Sequence, residues 1–321
     1  MDNVVLLFQK TLIYAAPLLI VALGGMFSER SGVINLALEG EMIFGAFCGA
    51  ILARFFVLQG ILTSNIQLLF LVAMLFSAVC GALFALLLSF SAINLKADQT
   101  IGGTALNMLA AALVNAFALS LFNSEKVQMP PTFTGYGIIN EDLPMIVRIF
   151  ADKAYLSTYV IVIVFIVMSV WIYKTKTGMR MRSCGEHPQA AASVGINVFK
   201  MRYLGTVISG ALAGLGGYAY IATVSNSTAE ASVGGMGFLA LAIMIFGNWK
   251  PLGIALGALL FGFLKCISPL SSSLDFLKNL GLPMFFYNII PYVVVLIVLA
   301  LTAKKSGCPK AEGIPYDKGM R

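Results

Sequence analysis

The residues with the clearest chemical potential in this 321-residue chain are Asn35 and Glu39, a carboxamide and a carboxylate inside an apolar stretch. They are four positions apart, so a helix would place both on one face. A charged group within such a segment is costly and tends to face the interior of a helix bundle or an aqueous path. Two interpretations stay open: the pair lines a pathway and bonds a polar solute, or it caps or cross-links helices near Arg30.

Asn107 and Asn115 form a second pair of candidates for lining a pathway. They are eight positions apart and therefore roughly aligned along one helix. Hydrogen bonding between helices explains them equally well. Lys265 lies near the outer end of its apolar segment, and we expect its ammonium to extend to the membrane interface.

The sequence offers no arrangement of residues suited to catalysis. Hydrolysis within a membrane would need paired carboxylates, a serine with a histidine, or a metal-binding group. The single histidine, His187, lies in a polar connection, and the five cysteines have neither disulfide nor metal-ligand spacing. A phosphate-binding Gly-Lys-Ser/Thr loop is also absent. We therefore predict that the chain is not an enzyme and binds no metal or cofactor of its own.

The elements that must position these residues are membrane helices. The chain is 59% hydrophobic and 11% charged, with a mean hydropathy of +0.91, which leaves too few polar residues to coat a soluble globule. We predict an all-α integral membrane protein: one domain over residues 1–321, a polytopic bundle of about nine (eight to ten) transmembrane helices. The apolar segments lie near residues 11–27, 33–53, 66–90, 100–122, 155–173, 203–223, 238–249, 251–267 and 285–302.

Positive charge is concentrated in two stretches, which set the expected topology. Residues 174–202 carry six basic residues and one acid, and residues 304–321 carry five basic residues and two acids. Cytoplasmic loops collect Lys and Arg, so both stretches are predicted to face the cytoplasm. The N-terminus and a long loop at 123–154 are then external. The net charge of +7 is explained in this way and does not indicate nucleic-acid binding.

Segment 238–249 is too short to cross a membrane by itself. Its 12 residues extend about 18 Å as a helix, against a hydrocarbon thickness of about 30 Å. This segment and the next could be broken or re-entrant helices, which survive only where protein or water satisfies their backbone. We interpret the turn at 247–251 as a cytoplasmic hairpin, with a pathway wall as the alternative. Glycines such as Gly210 and Gly214 have the spacing of close helix packing.

The connection after the fifth segment is more ordered than a simple linker requires. Pro188 suits the first turn of a short helix, and Gly195 with Asn197 would end it. A bare connecting loop does not need such a helix, whereas a surface that docks a partner does. We favour the docking interpretation.

Four stretches match motifs of a known family: residues 27–40, 184–196, 201–203 and 208–217. In them the chain resembles the permeases of ATP-binding-cassette importers in the branched-chain amino acid, ribose and simple-sugar group. It is most similar to the shorter of two permeases in nucleoside systems served by a basic-membrane-lipoprotein receptor. The resemblance covers nearly the whole chain. Residues 186–195 are similar to the glutamate-alanine-alanine-glycine loop that engages the ATPase, although His187, Pro188 and Gln189 separate the glutamate from the alanines here.

The resemblance implies transport by alternating access in the bacterial cytoplasmic membrane. Two permeases, this chain and a longer sibling, would form the pathway, and a separate cytoplasmic ATPase would bind ATP and Mg. An external substrate-binding lipoprotein would deliver the cargo, a nucleoside, with a simple sugar or a branched-chain amino acid as the alternative. A short coupling helix at 185–198 would transmit the motion of the ATPase. The residues assigned to coupling are Gly185, Glu186, His187, Pro188, Ala190, Ala191, Gly195 and Ile196.

An ion-coupled secondary transporter is the less favoured alternative. Such a carrier needs ionisable residues near the membrane midplane, typically at broken helices. Glu39 and Glu41 are the only acids well inside a predicted span. The cytoplasmic motif would then be unexplained.

Overall fold

The computed structural model describes residues 2–129, 155–271, 278, 283–302, 307–317 and 319. The described chain is mostly helical, with one pair of two-residue strands. Its elements in chain order are α1 (Asp2–Ser31), α2 (Leu38–Leu58), α3 (Ile66–Ser89), a π-helical turn (Phe90–Asn94), α4 (Gln99–Phe122), β1 (Val127–Gln128), α5 (Leu156–Lys174), α6 (Lys176–Glu186), α7 (Pro188–Ser193), α8 (Val198–Thr223), β2 (Thr228–Ala229), α9 (Met236–Phe246), α10 (Pro251–Leu270) and α11 (Met284–Thr302).

Each of the predicted apolar segments corresponds to one helix, α1 to α5 and α8 to α11. Among the described residues, seven helices are long and apolar enough to cross a membrane: α1 to α5, α8 and α10. The helix α9 has 11 residues, and the apolar part of α11 at Phe285–Val298 is also shorter. The all-α, multi-pass fold is therefore confirmed, while the total of nine crossings stays a prediction. Most of the predicted external loop, 130–154, lies outside the described residues.

The helix α8 is the centre of the bundle and packs along α1, α2 and α3. A Cβ atom on Gly210 would lie 2.3 Å from the Cβ of Ala85 and 2.5 Å from the carbonyl oxygen of Gly81. The hydroxyl of Ser77 donates to the carbonyl of Gly214 at 2.6 Å. Small residues thus let the helix backbones touch, as expected where lipid supplies no hydrophobic drive for helix association.

The segment 32–37, between α1 and α2, is non-helical and rises along α4. The N–H of Ile34 donates to Gln99 Oε1 at 2.8 Å, and Asn107 Nδ2 donates to the carbonyl of Leu36 at 2.7 Å. Gln99 and Asn107 are eight residues apart on α4, which corresponds to about 12 Å. The helix α2 therefore begins well inside the membrane, and protein groups satisfy the exposed backbone before it, as irregular structure at that depth requires.

A second non-helical segment, 224–235, returns from the outer end of α8 into the bundle. The helix α9 then begins at Met236, beside the first turn of α2, where the N–H of Gly237 bonds Glu39. With 11 residues, α9 extends about 17 Å to the turn that precedes α10. The arrangement is re-entrant, so the N-termini of α2 and α9 meet near the middle of the membrane.

Candidate functional site

The cytoplasmic connection between α5 and α8 contains two short helices rather than one. His187, with φ −143°, separates α6 from α7, and Pro188 occupies the first turn of α7. Gly195 follows α7 with φ +84°, a left-handed conformation that glycine adopts without strain. Pro188 begins the helix as predicted. The helix ends at Ser193, two residues before Gly195, and Asn197 caps the start of α8 instead. The helix has six residues, shorter than the predicted 185–198, because Glu186 still belongs to α6.

The residues assigned to coupling divide into a buried and an exposed group. Gly185, Pro188 and Ala191 are buried, and Ala191 is only 4% exposed among Cys184 and Val198. Burial also raises the pKa of the Cys184 thiol to about 11, so it stays protonated at neutral pH. The buried group anchors α7 on the bundle. The exposed members are His187, Ala190 and Gly195, with Glu186 and Ile196 partly exposed.

The C-terminal tail (residues 307–317) packs against the connection between α5 and α8, called the coupling loop below (residues 175–197). The sequence indicated the tail only as a basic stretch. The N–H of Ala311 donates to the carbonyl of Gly185 at 2.9 Å. The ring of Tyr316 packs edge-on against Phe199 at the start of α8, with 5.3 Å between ring centres. The tail therefore holds the coupling loop and the first turn of α8 together as one unit.

An ion pair fixes the end of the tail to the α3–α4 connection. Lys96 Nζ lies 2.7 Å from Asp317 Oδ2, and its hydrogen bond holds the pKa of this carboxyl below its usual value. A groove of about 590 Å³ opens between the tail, α7 and the start of α8. Gln189, Ile196 and Asp317 are among the residues that line it. The coupling loop thus presents a shaped surface rather than a single helix.

A polar cluster joins the end of α1 to the coupling loop. Arg30 Nη1 lies 3.4 Å from Glu186 Oε1, and Arg30 Nη2 donates to the carbonyl of Trp249 at 3.1 Å. The indole N–H of Trp249 donates to Glu29 Oε2 at 2.5 Å. These bonds place the turn after α9 at the same end as the coupling loop, in agreement with a cytoplasmic hairpin. Spacing along the chain could not predict the cluster, because Glu186 and Trp249 lie 156 and 219 residues from Arg30.

Asn35 is buried and bonded on every side. Its Nδ2 donates to Glu41 Oε2 at 3.0 Å and to the hydroxyl of Ser209 at 2.9 Å, and its Oδ1 accepts the N–H of Ala37 at 3.0 Å. These bonds connect the 32–37 segment to α2 and α8. They match the cross-linking interpretation of Asn35, and a pathway role stays a prediction.

Glu39 is bound to the beginning of α9. Its two carboxylate oxygens accept the N–H of Gly235 at 2.9 Å and the N–H of Gly237 at 2.6 Å. A carboxylate satisfies the free N–H groups of a helix N-terminus and favours the positive end of the helix dipole. The contacts are those of the capping interpretation, but they lie near the middle of the membrane rather than beside Arg30. A pathway role for Glu39 also stays a prediction.

Asn107 and Asn115 face different surroundings. Asn107 Oδ1 accepts the N–H of Gly40 at 2.7 Å, and its Nδ2 bonds Leu36, so its amide bridges the irregular start of α2. Asn115 is exposed on the outside of α4. Eight residues turn an α-helix by about 80° beyond two full turns, which separates the two side chains. Their pathway roles stay predictions.

Lys265 bonds two neighbouring segments of the chain, and its extension to the outer interface stays a prediction. Its ammonium donates to the hydroxyl of Tyr292 at 3.0 Å and to the carbonyl of Gly234 at 3.4 Å. It also lies 4.8 Å from the centre of the Tyr292 ring. Gly234 directly precedes Gly235, which Glu39 binds. Lys265 and Glu39 therefore meet at the same re-entrant junction, from two sides.

This arrangement of membrane helices with an ordered cytoplasmic loop belongs to a family of transport proteins. The family described as the permease component of the branched-chain amino acid transport system matches residues 7–299. The chain belongs to this family of multi-pass membrane permeases.

Individual relatives within this family are permeases of ABC transporters. The chain is 40% identical to the guanosine ABC transporter permease protein NupQ of Bacillus subtilis, over 98% of both chains. It is 36% identical to the nucleoside ABC transporter permease protein NupC of Lactococcus lactis, over 98% of this chain and 97% of that one. A second L. lactis protein, the nucleoside ABC transporter permease protein NupB, is 23% identical over 97% of this chain and 84% of its own length.

The chain is therefore the permease subunit of an ATP-binding-cassette transporter in the bacterial cytoplasmic membrane. Permeases of this kind work with an ATPase and a second permease. The chain is a transport subunit and not itself an enzyme.

Proposed function

We propose that the chain is the shorter permease of an ATP-driven nucleoside importer and forms half of its translocation pathway. The observation that carries this proposal is similarity along nearly the whole chain to permeases named for guanosine and for nucleosides. The chain matches only 84% of the length of NupB, so that relative is longer. This supports pairing with a longer sibling rather than with a second copy. A simple sugar or a branched-chain amino acid is the alternative cargo.

In this proposal the coupling loop is the docking site for a separate ATPase, which binds ATP and Mg²⁺. Its exposed residues, such as His187 and Ala190, meet the ATPase, and the buried Pro188 and Ala191 transmit the push to the bundle. The Arg30–Glu186 contact passes the motion to α1. An external lipoprotein delivers the cargo to the opposite end. Residues 1–321 act as one permease domain.

The pathway lies at the interface with the second permease. Asn115 is the candidate best placed to reach it, because its amide is exposed on α4. Asn35, Glu39 and Asn107 act one layer behind, where they hold the re-entrant segments in place. A change at these three residues would then alter cargo uptake through the position of the backbone.

Transport in reconstituted vesicles tests the proposal. The chain is assembled with its co-encoded permease and ATPase, and uptake of labelled guanosine is measured with the receptor outside and ATP inside. We expect uptake that needs ATP and the ATPase and that excess unlabelled nucleoside competes away. Competition by glucose or leucine instead would overturn the nucleoside assignment. Uptake without ATP that follows an imposed ion gradient would identify a secondary carrier.

A further inference from the structure

Lys265 carries a positive charge within the apolar helix α10, where a charged side chain is costly. It is fourteen residues beyond Pro251, where α10 begins after the cytoplasmic turn. That separation is about 21 Å along the helix, within a hydrocarbon layer of about 30 Å. Gly234, its backbone partner, precedes α9, whose 11 residues extend about 17 Å from the same turn. Both helix lengths thus place the Lys265 contacts about 17 to 21 Å from the cytoplasmic turn.

The ammonium of Lys265 has no carboxylate partner within the described part of the chain. The salt bridges found there join Arg30 to Glu186, Lys96 to Asp317 and Lys126 to Glu230. Glu39 is close enough to act on the ammonium by charge, and its two oxygens bond the N–H groups at the start of α9. Ionisable groups inside membrane proteins are costly and mark substrate pathways.

The side chain also makes lateral contacts. Lysines that extend to the outer interface reach along their helix towards water. Here the ammonium turns sideways to Tyr292 and Gly234, on neighbouring segments. The ring of Tyr292 is 43% exposed at this point, so an aromatic face and a cation are presented side by side on the surface of the chain.

We propose that Lys265, Tyr292 and the carbonyl of Gly234 form a contact site for the cargo, and that the cargo class is a purine nucleoside with a carbonyl group at C6. This inference rests on the proposed function and names the substrate class of that pathway. The base stacks on the exposed ring of Tyr292, as bases do on aromatic side chains. The ammonium donates to the ring edge of the base.

The chemistry of that edge decides between purines. A guanine-type base offers two neighbouring acceptors, N7 and O6, to a donor such as Lys. Adenine offers N7 beside an amino group, which is itself a donor. Two of the three donors of the ammonium already bond Tyr292 and Gly234, so one remains for the base. That donor meets two acceptors on a guanine-type base, but an acceptor and a competing donor on adenine. Lys265 therefore favours guanosine over adenosine.

The test uses the complete transporter in vesicles, with receptor and labelled guanosine or adenosine at saturating concentration. We expect faster uptake of guanosine than of adenosine by the unaltered complex. Lys265→Met should lower guanosine uptake about tenfold and adenosine uptake much less, because one hydrogen bond from a charged donor contributes about that factor. ATP hydrolysis and co-purification with the ATPase should stay unchanged. Tyr292→Phe keeps the ring and should reduce guanosine uptake only a few-fold.

Lys10→Met is the matched control, because it removes a lysine charge from α1, a neighbouring helix, and should leave the guanosine-to-adenosine ratio unchanged. Lys265→Arg keeps the charge and should retain most of the preference. A preserved ratio in Lys265→Met overturns the site. If that variant does not assemble, Lys265→Gln, which also removes the charge, takes its place, and a preserved ratio in Lys265→Gln overturns the site. Equal uptake of both nucleosides by the unaltered complex removes the base preference alone, and no nucleoside uptake removes the proposed function itself.

Discussion

The core around α8 and the cytoplasmic end of the bundle are held together in opposite ways. In the core, helix backbones touch with almost no side chain between them, as at Gly81 and Gly210. At the cytoplasmic end, separate polar contacts such as Arg30–Glu186 join the coupling loop, the tail and α1. A close-packed interior transmits displacement without yielding, whereas single exposed contacts are weak and break easily. We therefore expect the helices around α8 to move as one rigid body, while the contacts of the coupling loop with the tail and α1 can rearrange.

The strongest test of the rigid core is Gly210→Val. A Cβ at Gly210 would already lie 2.3 Å from the Cβ of Ala85, so α3 and α8 must separate. We expect a loss of about 3 kcal/mol or more in the free energy of unfolding, since overpacking of this kind leaves no room to relax. Thermal unfolding of the purified chain in detergent measures it.

Gly102→Ala in α4 is the matched control. A Cβ there would meet only the hydroxyl of Ser91, at an ordinary contact distance of 3.4 Å. We expect no loss of stability, and a gain of up to about 1 kcal/mol from the better helix propensity of alanine. Equal stability of the Gly210→Val and Gly102→Ala variants would contradict the idea of a backbone-packed core.

Glu39→Ala tests the junction where the core depends on a side chain. Removing the carboxylate leaves the N–H groups of Gly235 and Gly237 without an acceptor at membrane depth. Unsatisfied buried donors cost about 1 to 3 kcal/mol, so we expect about 2 kcal/mol of lost stability and less assembled complex. Glu39→Gln keeps one acceptor oxygen and should lose about half as much.

The same two variants separate capping from a pathway role for Glu39. Uptake is divided by the amount of assembled complex in each case. If capping is its role, uptake per complex stays near the unaltered value in Glu39→Gln. A large drop in uptake with full assembly would instead carry the pathway interpretation.

Gly195→Pro tests whether the coupling loop links ATP hydrolysis to uptake. Gly195 has φ +84°, which proline cannot adopt because its ring fixes φ near −65°. We expect α7 to shift while the protein still inserts, with a local cost of roughly 1 to 3 kcal/mol. Uptake should fall at least about tenfold while the ATPase continues to hydrolyse ATP. Gly195→Asn, which tolerates a left-handed conformation, is the control and should retain uptake.

Ala191→Phe tests the same surface from its buried side. Ala191 is packed against Cys184 and Val198, and a Cβ extended by an aromatic ring must push α7 away from the bundle. We expect uptake to uncouple from ATP hydrolysis as in Gly195→Pro, measured in the same vesicles. Normal uptake in both variants would remove the coupling loop from the mechanism.

The sequence predicted what depends on local rules. Apolar length found each of the hydrophobic helices, and Pro188 and Gly195 marked the limits of α7 because both act through their own backbone angles. The short length of segment 238–249 also pointed to a re-entrant helix. These signals need no knowledge of which segments meet in space.

The contacts of the candidate site depend on distant partners and could not be read from spacing. Glu39 binds α9 from nearly 200 residues away, and its role follows from a fold in which two irregular segments meet at mid-depth. The partners of Lys265 were hidden from the sequence for a related reason. Its position near the end of an apolar run predicts only its place along the helix, and the fold brings Tyr292 and Gly234 to its ammonium.

The smallest effect is expected at the end of the tail, where Lys96 pairs with Asp317. The pKa of Asp317 is lowered by this hydrogen bond, so the contact stabilises the docked tail above the pKa that the carboxyl has in the unfolded chain and is lost as pH falls through the lowered value. Both side chains are about half exposed, so salt should weaken the pair as well. Amide hydrogen exchange of residues 307–317 measures release of the tail. Comparing the unaltered chain with the variant at each pH separates this release from the intrinsic pH dependence of exchange. Asp317→Asn should raise exchange of the tail amides at neutral pH by a few-fold at most and should remove the further increase at acid pH. Glu230→Gln, which breaks the Lys126–Glu230 pair, is the control and should change neither. An unaltered pH response in Asp317→Asn would show that the backbone bond of Ala311 to Gly185, rather than this ion pair, keeps the tail on the coupling loop.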